Sequence, residues 1–171
     1  MTKPIGTPPR VELVDGVIQV TPSSTVGHQD ISSLLWLWLH NHAPTHLGAA
    51  QSVGVRLSHN TSRQPDALLY RAGVPSDQSM LRSEDVVLAV EIVSPGTRRI
   101  DRFAKPGEYA AAGIPFYWRI EHDPLHVYAY RIGDRVGPGG ERQYELAADG
   151  ADVIELSEPF EIKLPVNEIA P

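Results

Sequence analysis

The stretch Val86-Val-Leu-Ala-Val-Glu-Ile-Val93, followed by Ser94-Pro-Gly96, decides the fold. All its residues are apolar except Glu91, and most are β-branched. This pattern predicts a central strand covered on both faces of a sheet. A carboxylate buried in such a strand is costly unless it is protonated or paired with a cation. We therefore expect a metal ion or a basic side chain beside Glu91.

The residues after this strand predict a βαβ unit. A helix is expected within residues 100–112 and ends at Gly113, because glycine favours the position just after a helix C-terminus. Pro106 would break a helix interior, so we expect the helix to begin near Lys105. Residues 115–120 form the next predicted strand, and the crossover makes it parallel to the central one.

The rest of the chain predicts an α/β (α+β) fold, with a mixed sheet flanked by helices. Asp15-Gly16 joins two short apolar runs and indicates an N-terminal hairpin. A helix runs from Gly27 through His40 and ends before Pro44; it is apolar almost all round, which indicates full burial or a subunit contact. A polar loop is expected over 71–85, and the remaining strands, which include antiparallel C-terminal ones, are predicted at 51–57, 67–70, 125–130, 142–146 and 160–164.

Composition limits the class of protein. The 171 residues, 42% of them hydrophobic, suit one domain over residues 1–171. The absence of cysteine fits a cytoplasmic location, and the longest apolar stretch is too short to span a membrane. A net charge of −6 argues against a passive nucleic-acid coat but is compatible with an enzyme that acts on nucleic acid. The motifs of P-loop proteins and serine hydrolases are absent from the sequence.

Two acidic residues stand at strand ends that can meet. Asp66 opens the strand 67–70, and Glu91 lies near the end of the central strand. If these strands are neighbours, both carboxylates can reach one Mg²⁺ ion, which prefers oxygen ligands and keeps several waters. The backbone carbonyl of Val93 is a further candidate ligand, because residue 93 lies at the same level as Glu91. Lys105 is the candidate cation for stabilising charge or orienting an attacking water.

Taken together, these residues resemble a known group of nucleases. Pro65-Asp66, Glu91-x-Val93 and a lysine on the next helix are similar to the PD-(D/E)XK superfamily, in a variant whose lysine has moved out of the strand. The chain more closely resembles the Uma-type family of proposed bacterial restriction endonucleases, first catalogued as a domain of unknown function. The motifs that carry this resemblance are Glu12 to Gly16, His28-Gln29, Val53 to Leu57, Val90 to Arg99, Asp101, Lys105-x-x-x-Tyr109 and Ala112 to Trp118.

The resemblance implies a restriction-endonuclease-like core and a metal-dependent DNA endonuclease. Asp66 and Glu91 would bind Mg²⁺ or Mn²⁺, and Lys105 would be the migrated catalytic lysine. Asp101 and His28 match family positions and are accessory candidates. DNA is the implied partner, and a homodimer is expected. The chain departs from the family pattern at Pro106-Gly107.

Other interpretations of the same residues remain open. Glu91 could be held in a buried ion pair with Arg56 or Lys105, and His28 could simply be a polar residue at a helix N-terminus. The basic run of Arg98, Arg99 and Arg102 is either a set of phosphate contacts or a solvated face. As whole-protein alternatives, the chain could be a catalytically inactive nuclease-like module that binds DNA or protein, or an oligomeric scaffold built through residues 36–39.

Overall fold

A computed structural model describes residues 9–94, 96 and 99–171 of the chain. It contains two α-helices, α1 at Val26–His42 and α2 at Lys105–Ala111. A π-helical turn over Ile100–Ala104 leads into α2, and 3-10 turns lie at Ser83–Asp85 and Val166–Ile169. The described strands are β1 Arg10–Val14, β2 Val17–Thr21, β3 Leu47–Gln51, β4 Gly54–Arg56, β5 Ser62–Arg63, β6 Ala67–Arg71, β7 Met80–Arg82, β8 Val86–Val93, β9 Phe116–His122, β10 Leu125–Val136, β11 Arg142–Gly150, β12 Val153–Leu156 and β13 Ile162–Pro165.

The main sheet has six strands in the order β11-β10-β9-β8-β6-β3. Every residue of β8 is buried, as predicted for a central strand. β8 and β9 are parallel, with Leu88 opposite Phe116, whereas the other neighbouring pairs of this sheet are antiparallel. The predicted βαβ unit is therefore confirmed, and the mixed α/β fold class with it.

The two faces of β8 are buried in different hydrophobic clusters. Leu88, Val90 and Ile92 pack on the side of the sheet that α1 covers. Ala89 packs on the other side, with Tyr109 of α2. Because side chains alternate along a strand, Glu91 shares the face of Ala89 and points towards α2.

The N-terminal hairpin is confirmed, but it turns an apolar face to solvent and charged residues of β1 to the interior. Asp15 and Gly16 adopt φ values of 49° and 79°, as a tight two-residue hairpin turn requires. The face that carries Glu12 is turned inwards, and Glu12 is only 5% exposed. The apolar face is turned outwards, so that Ile18 is 69% exposed and Val20 is 62% exposed. Arg10 and Glu12 of β1 point inwards because they have charged partners there, Asp66 and Arg63.

Some element boundaries differ from those predicted. The strand expected at 51–57 is divided between β3 and β4, because Ser52 has a left-handed φ of 51° that interrupts the extended chain. The expected polar loop contains β7, which pairs parallel to β4. β12 was not predicted, and β10 extends well beyond residue 130.

The two helices match the predictions in their main features. α2 begins at Lys105 and accommodates Pro106 in its first turn, where a missing backbone N–H is tolerated. Trp38 and Leu39 of α1 are buried within the chain, so these two positions cannot contribute to the alternative scaffold surface over residues 36–39. None of the described helices has the length and apolarity needed to cross a membrane.

Candidate active site

Asp66 is fixed by its backbone at the junction of β6 and β8. Its N–H donates to the carbonyl of Val90 at 3.0 Å, and its carbonyl accepts from the hydroxyl of Ser32 at 3.1 Å. The side chain is 2% exposed, and its Oδ2 accepts from the N–H of Ile92 at 2.7 Å. These bonds aim the other oxygen, Oδ1, away from the backbone of β8.

Glu91 is held from α2 by two donors. The hydroxyl of Tyr109 donates to Oε1 at 2.5 Å, and Nζ of Lys105 donates to Oε2 at 2.7 Å. All three side chains are buried, and Glu91 is 1% exposed. Lys105 and Glu91 therefore meet as the sequence predicted, and an ion pair between them is confirmed. Arg56, the other candidate partner of Glu91, is exposed.

The π-helical turn brings Asp101 to the same place. The N–H of Lys105 donates to the carbonyl of Ile100, five residues earlier, which is the π-helical pattern. Asp101 is buried and lies 2.9 Å from Nζ of Lys105. The hydroxyl of Tyr117 donates to the backbone carbonyl of Asp101 at 2.7 Å. Lys105 is thus held between two buried carboxylates, Glu91 and Asp101.

Arg10 of β1 is a site residue that the sequence analysis did not anticipate. Its guanidinium contacts Oδ1 of Asp66 and lies 3.8 Å from Oε2 of Glu91. The only sequence signal is that Arg10 and Glu12 share one face of an otherwise apolar strand. That pattern alone suggests a solvent-facing side, so the inward direction of Arg10 could not be deduced from it.

His28 approaches the same carboxylate from the first turn of α1. Its backbone N–H donates to the hydroxyl of Thr25, the N-cap residue, at 3.4 Å. Its Nε2 lies 3.3 Å from Oδ2 of Asp66. Burial opposes the charged imidazolium, but the hydrogen bond to Asp66 and its charge outweigh burial and raise the pKa of His28. His28 therefore contacts the buried acid as well as standing at a helix start. One charged cluster is formed by Arg10, His28, Asp66, Glu91, Asp101 and Lys105.

The buried acids have opposite pKa shifts. Burial disfavours the charged form of Asp66, but hydrogen bonding by His28 and the charge of Arg10 outweigh burial and hold the pKa of Asp66 well below its usual range. Burial raises the pKa of Glu91 to about 7, in spite of the nearby charge of Lys105. Burial also opposes the charge of Lys105, but the neighbouring carboxylates, Glu91 first, raise its pKa. Asp66 is therefore a permanent anion, whereas Glu91 titrates near neutrality.

The other predicted site residues lie around this cluster. Val93 is buried at the end of β8. Arg102 is bound by Glu121 through two hydrogen bonds of 2.9 and 2.8 Å, so its charge is already partly compensated. Arg99 is exposed. Arg98 lies outside the described residues.

A cleft of about 260 Å³ reaches the carboxylates of Asp66 and Asp101. The segment between β2 and α1 forms one wall, and the end of β8 forms the other. Among its lining residues are Arg10, Ser23, Thr25, His28, Asp66 and Asp101. The cleft therefore provides a route from solvent to Arg10 and to Asp66, which is otherwise buried.

The donor set fits a divalent ion held by two carboxylates. In the part of the chain that the structure describes, no group of three or more histidine and acidic residues is arranged to hold a metal. Mg²⁺ nevertheless needs only one or two carboxylates, because waters fill its remaining positions. Asp66 and Glu91 offer such oxygens, and the guanidinium of Arg10 shows that a cation is attracted to the space between them. The residues fit the ion, provided that Arg10 moves away.

One family model matches almost the whole chain. This model, Uma2, carries the description "Putative restriction endonuclease" and matches residues 2–167. No curated protein sequence matches the chain significantly.

A solved structure shows a similar fold. A protein from Anabaena variabilis ATCC 29413, described as a "putative nuclease belonging to DUF820", has 15% sequence identity and a TM-score of 0.68, with 94% of this chain and 89% of that chain covered. At this identity the likeness shows the fold alone. NucC of E. coli MS115-1 in its apo form has 17% identity and a TM-score of 0.34, with 69% and 53% covered. NucC of P. aeruginosa ATCC27853 in its cAAA-bound form has 14% identity and a TM-score of 0.32, with 72% and 60% covered. The two NucC scores are too low to support any argument.

Proposed function

Because the chain belongs to the Uma2 family of restriction-endonuclease-like proteins, we propose that it is a metal-dependent endonuclease that hydrolyses phosphodiester bonds in DNA. The observation that carries this proposal is one connected set of charges: Lys105 pairs with Glu91, Arg10 lies between Glu91 and Asp66, and Asp66 lines an open cleft. Asp66, Glu91 and Lys105 come from the start of a strand, the middle of the sheet and the following helix. Burial of three charged side chains at one point costs free energy of folding, and such clusters are typical of functional sites.

Each residue receives a role from its environment. Asp66, ionised by its surroundings, and Glu91, oriented by Tyr109, would hold Mg²⁺ or Mn²⁺, with the Val93 carbonyl as a further candidate ligand. Such an ion, when bound, supplies Lewis acidity that stabilises charge on a phosphate and makes an attacking water more acidic. Lys105 remains cationic and is fixed in place, so it can stabilise negative charge that develops on the scissile phosphate.

Residues around the cleft extend this proposal. His28 and Asp101 would be accessory residues, since His28 contacts Asp66 and Asp101 contacts Lys105. Arg98, Arg99 and Arg102 would contact DNA phosphates beyond the cleft. For Arg102 this requires release or sharing of its contact with Glu121.

We further propose that residues 1–171 form one domain of a homodimer in the cytoplasm. The outward apolar face of the hairpin supports self-association, because Ile18 and Val20 are exposed and β2 is an edge strand. Sedimentation velocity should therefore give the mass of two chains, and Ile18→Asp should give one. A monomer at concentrations used for cleavage would contradict the dimer.

A cleavage assay tests the proposed function. The protein is incubated with supercoiled plasmid, single-stranded DNA and branched DNA, each with Mg²⁺ or Mn²⁺. We expect cleavage of at least one substrate, reduced about 100-fold or more in Glu91→Ala and Lys105→Ala, since each removes a group that acts in the transition state. Lys163→Ala, which changes an exposed lysine paired with Glu155, is the control and should cleave normally. Unchanged cleavage in the two site variants would refute these roles.

A second function is favoured by the position of Arg10. If its guanidinium permanently replaces the ion, the chain is a catalytically inactive nuclease-like module that binds DNA or a protein. This alternative predicts that calorimetry detects no Mn²⁺ binding that is sensitive to Asp66→Ala. The two functions are therefore separated by metal binding alone.

A further inference from the structure

Arg10 contacts the carboxylate oxygen of Asp66 that a divalent ion would need. Oδ2 of Asp66 already accepts from Ile92, and Oε1 of Glu91 already accepts from Tyr109. The other oxygen of Asp66, Oδ1, is the one that Arg10 contacts. Oε2 of Glu91 accepts from Lys105 and lies 3.8 Å from the guanidinium of Arg10. A divalent ion shared by both acids therefore reaches Asp66 through Oδ1, the oxygen that Arg10 now contacts, and shares Oε2 of Glu91 with Lys105.

The backbone that carries Arg10 is anchored without this contact. Glu12, two residues along β1, accepts from Arg63 at 2.9 Å and from the N–H of Gln64 at 2.9 Å. The turn of the hairpin is held by the N–H of Gly16, which donates to the carbonyl of Asn60 at 2.8 Å. Release of Arg10 therefore requires movement of one side chain, whereas the hairpin can stay in place.

Space for that movement is present beside the site. The side chain of Arg10 is 19% exposed, in contrast to the nearly complete burial of both carboxylates. Arg10 lines the cleft of about 260 Å³ and also a second cavity of about 190 Å³, which is bounded by Ser23, Gln29, Ser52 and Gln64. A guanidinium that leaves Asp66 can enter this polar cavity and remain hydrated.

We propose that Arg10 is a competing cation: it neutralises Asp66 and Glu91 in the metal-free protein and is displaced when a divalent ion binds them. This inference rests on the proposed function, because it assumes that the two acids form a metal site. Arg10 then stabilises the fold without metal and weakens metal binding by the same contacts. Metal affinity is thus set partly by the N-terminal hairpin.

Calorimetric titration with Mn²⁺ tests this inference on the full chain. Arg10→Gln should bind Mn²⁺ about tenfold more tightly than the wild type, a ratio equivalent to roughly 1.4 kcal/mol of lost competition. Arg10→Lys retains a charge but not the planar fork, so its affinity should fall between the two. Arg82→Gln makes the same change of net charge in an exposed arginine paired with Glu84 and Asp85, and it should match the wild type.

Thermal unfolding supplies a second measurement. Without metal, Arg10→Gln should melt below the wild type, because two buried acids lose a cation, and Mn²⁺ should raise its Tm more than that of the wild type. If Arg10→Gln does not fold, Arg10→Lys decides: Mn²⁺ binding tighter than that of the wild type supports the inference, and equal binding overturns it.

The outcomes separate this inference from the proposed function. Equal or weaker Mn²⁺ binding by folded Arg10→Gln, together with wild-type binding that Asp66→Asn abolishes, overturns the competing role of Arg10 and leaves the metal site intact. Mn²⁺ binding that is absent from all variants, or indifferent to Asp66→Asn, overturns both. Tighter binding in Arg10→Gln that Asp66→Asn removes supports both.

Discussion

Two carboxylates within one cluster differ in charge state because their neighbours differ. Asp66 accepts from a backbone N–H and contacts two basic side chains, so its pKa is held low despite burial. For Glu91, burial outweighs the nearby charge of Lys105, and the charges of Asp66 and Asp101 add to it, so its pKa is raised to about 7. A protonated Glu91 is a poor metal ligand, so metal binding at neutral pH should release protons.

The pKa of Glu91 predicts a particular pH dependence of stability. Between its ordinary value of 4.5 and about 7, the folded protein retains a proton that the unfolded chain has lost. Stability of the metal-free protein therefore falls as pH rises through this window, by at most roughly 3 kcal/mol from this group. Gln at position 91 cannot ionise, so Glu91→Gln should lack this fall.

Urea unfolding of both proteins near pH 5 and near pH 8 measures the effect. The stability of Glu91→Gln relative to the wild type should increase from the lower to the higher pH. Titration of His28 and of other groups occurs in both proteins and largely cancels in the difference. Parallel pH profiles would show that Glu91 is ionised throughout.

At the residue level, the two acids and the lysine were predictable from the sequence, whereas the counter-ion Arg10 was not. Glu91 was recognisable because a charge inside an apolar run is unusual, and Lys105 followed from its place on the next helix. Arg10 gave no such signal, because its strand alternates charged and apolar residues like any surface strand. The inward direction of Arg10 depends on partners that are more than fifty residues away in sequence.

Among the elements, the hairpin and α2 are joined by one arginine. Arg63, at the end of β5, is 3% exposed and donates to Glu12 of β1 at 2.9 Å. It also donates to both carboxylate oxygens of Glu108 in α2, at 2.6 and 2.8 Å. The hairpin that carries Arg10 and the helix that carries Lys105 are therefore held by the same buried group.

Replacement of Arg63 should loosen the hairpin selectively. Arg63→Met leaves Glu12 buried without its cation, and breaking a buried ion pair in this way costs about 3–5 kcal/mol. Hydrogen exchange should accelerate in residues 10–21, whereas β8 and β9 should stay protected, because their bonds do not involve Arg63.

Arg82→Met is the matched control for this prediction. Its ion pairs with Glu84 and Asp85 are solvent-exposed at the arginine, so the loss of stability should be small. If the hydrogen-exchange rate of Arg63→Met rises equally over the whole chain, or does not rise in the hairpin, Arg63 does not link the hairpin to α2 in the way proposed.

Element types followed from the sequence where local and tertiary preferences agree. The central strand, the Asp15-Gly16 hairpin and the helix that begins at Lys105 were predicted because apolar patterning, turn residues and proline placement all favour them. The π-helical turn was not predicted. Asp101 and Lys105, four residues apart, lie together beside Glu91 at this turn, and their buried partners become apparent only in the folded chain.

In the molecule as a whole, the candidate site lies where the central sheet, the helical crossover and the N-terminal hairpin meet. The sheet supplies Glu91 on β8 and Asp66 just before the neighbouring strand β6, and the helical crossover supplies Lys105. Adjacent strands and a crossover are the parts of this geometry that the sequence could predict. The contact of Arg10 in the hairpin with Asp66 joins residues that are far apart in sequence, so it could not be predicted from the sequence.

The most direct test of the account is the anomalous difference density of crystals soaked in Mn²⁺. We predict a peak in contact with the carboxylates of both Asp66 and Glu91, with Lys105 still bound to Glu91 and the guanidinium of Arg10 moved off Asp66. Density that shows Arg10 still on Asp66, with no Mn²⁺ between the two acids at saturating concentration, would contradict the metal-dependent nuclease.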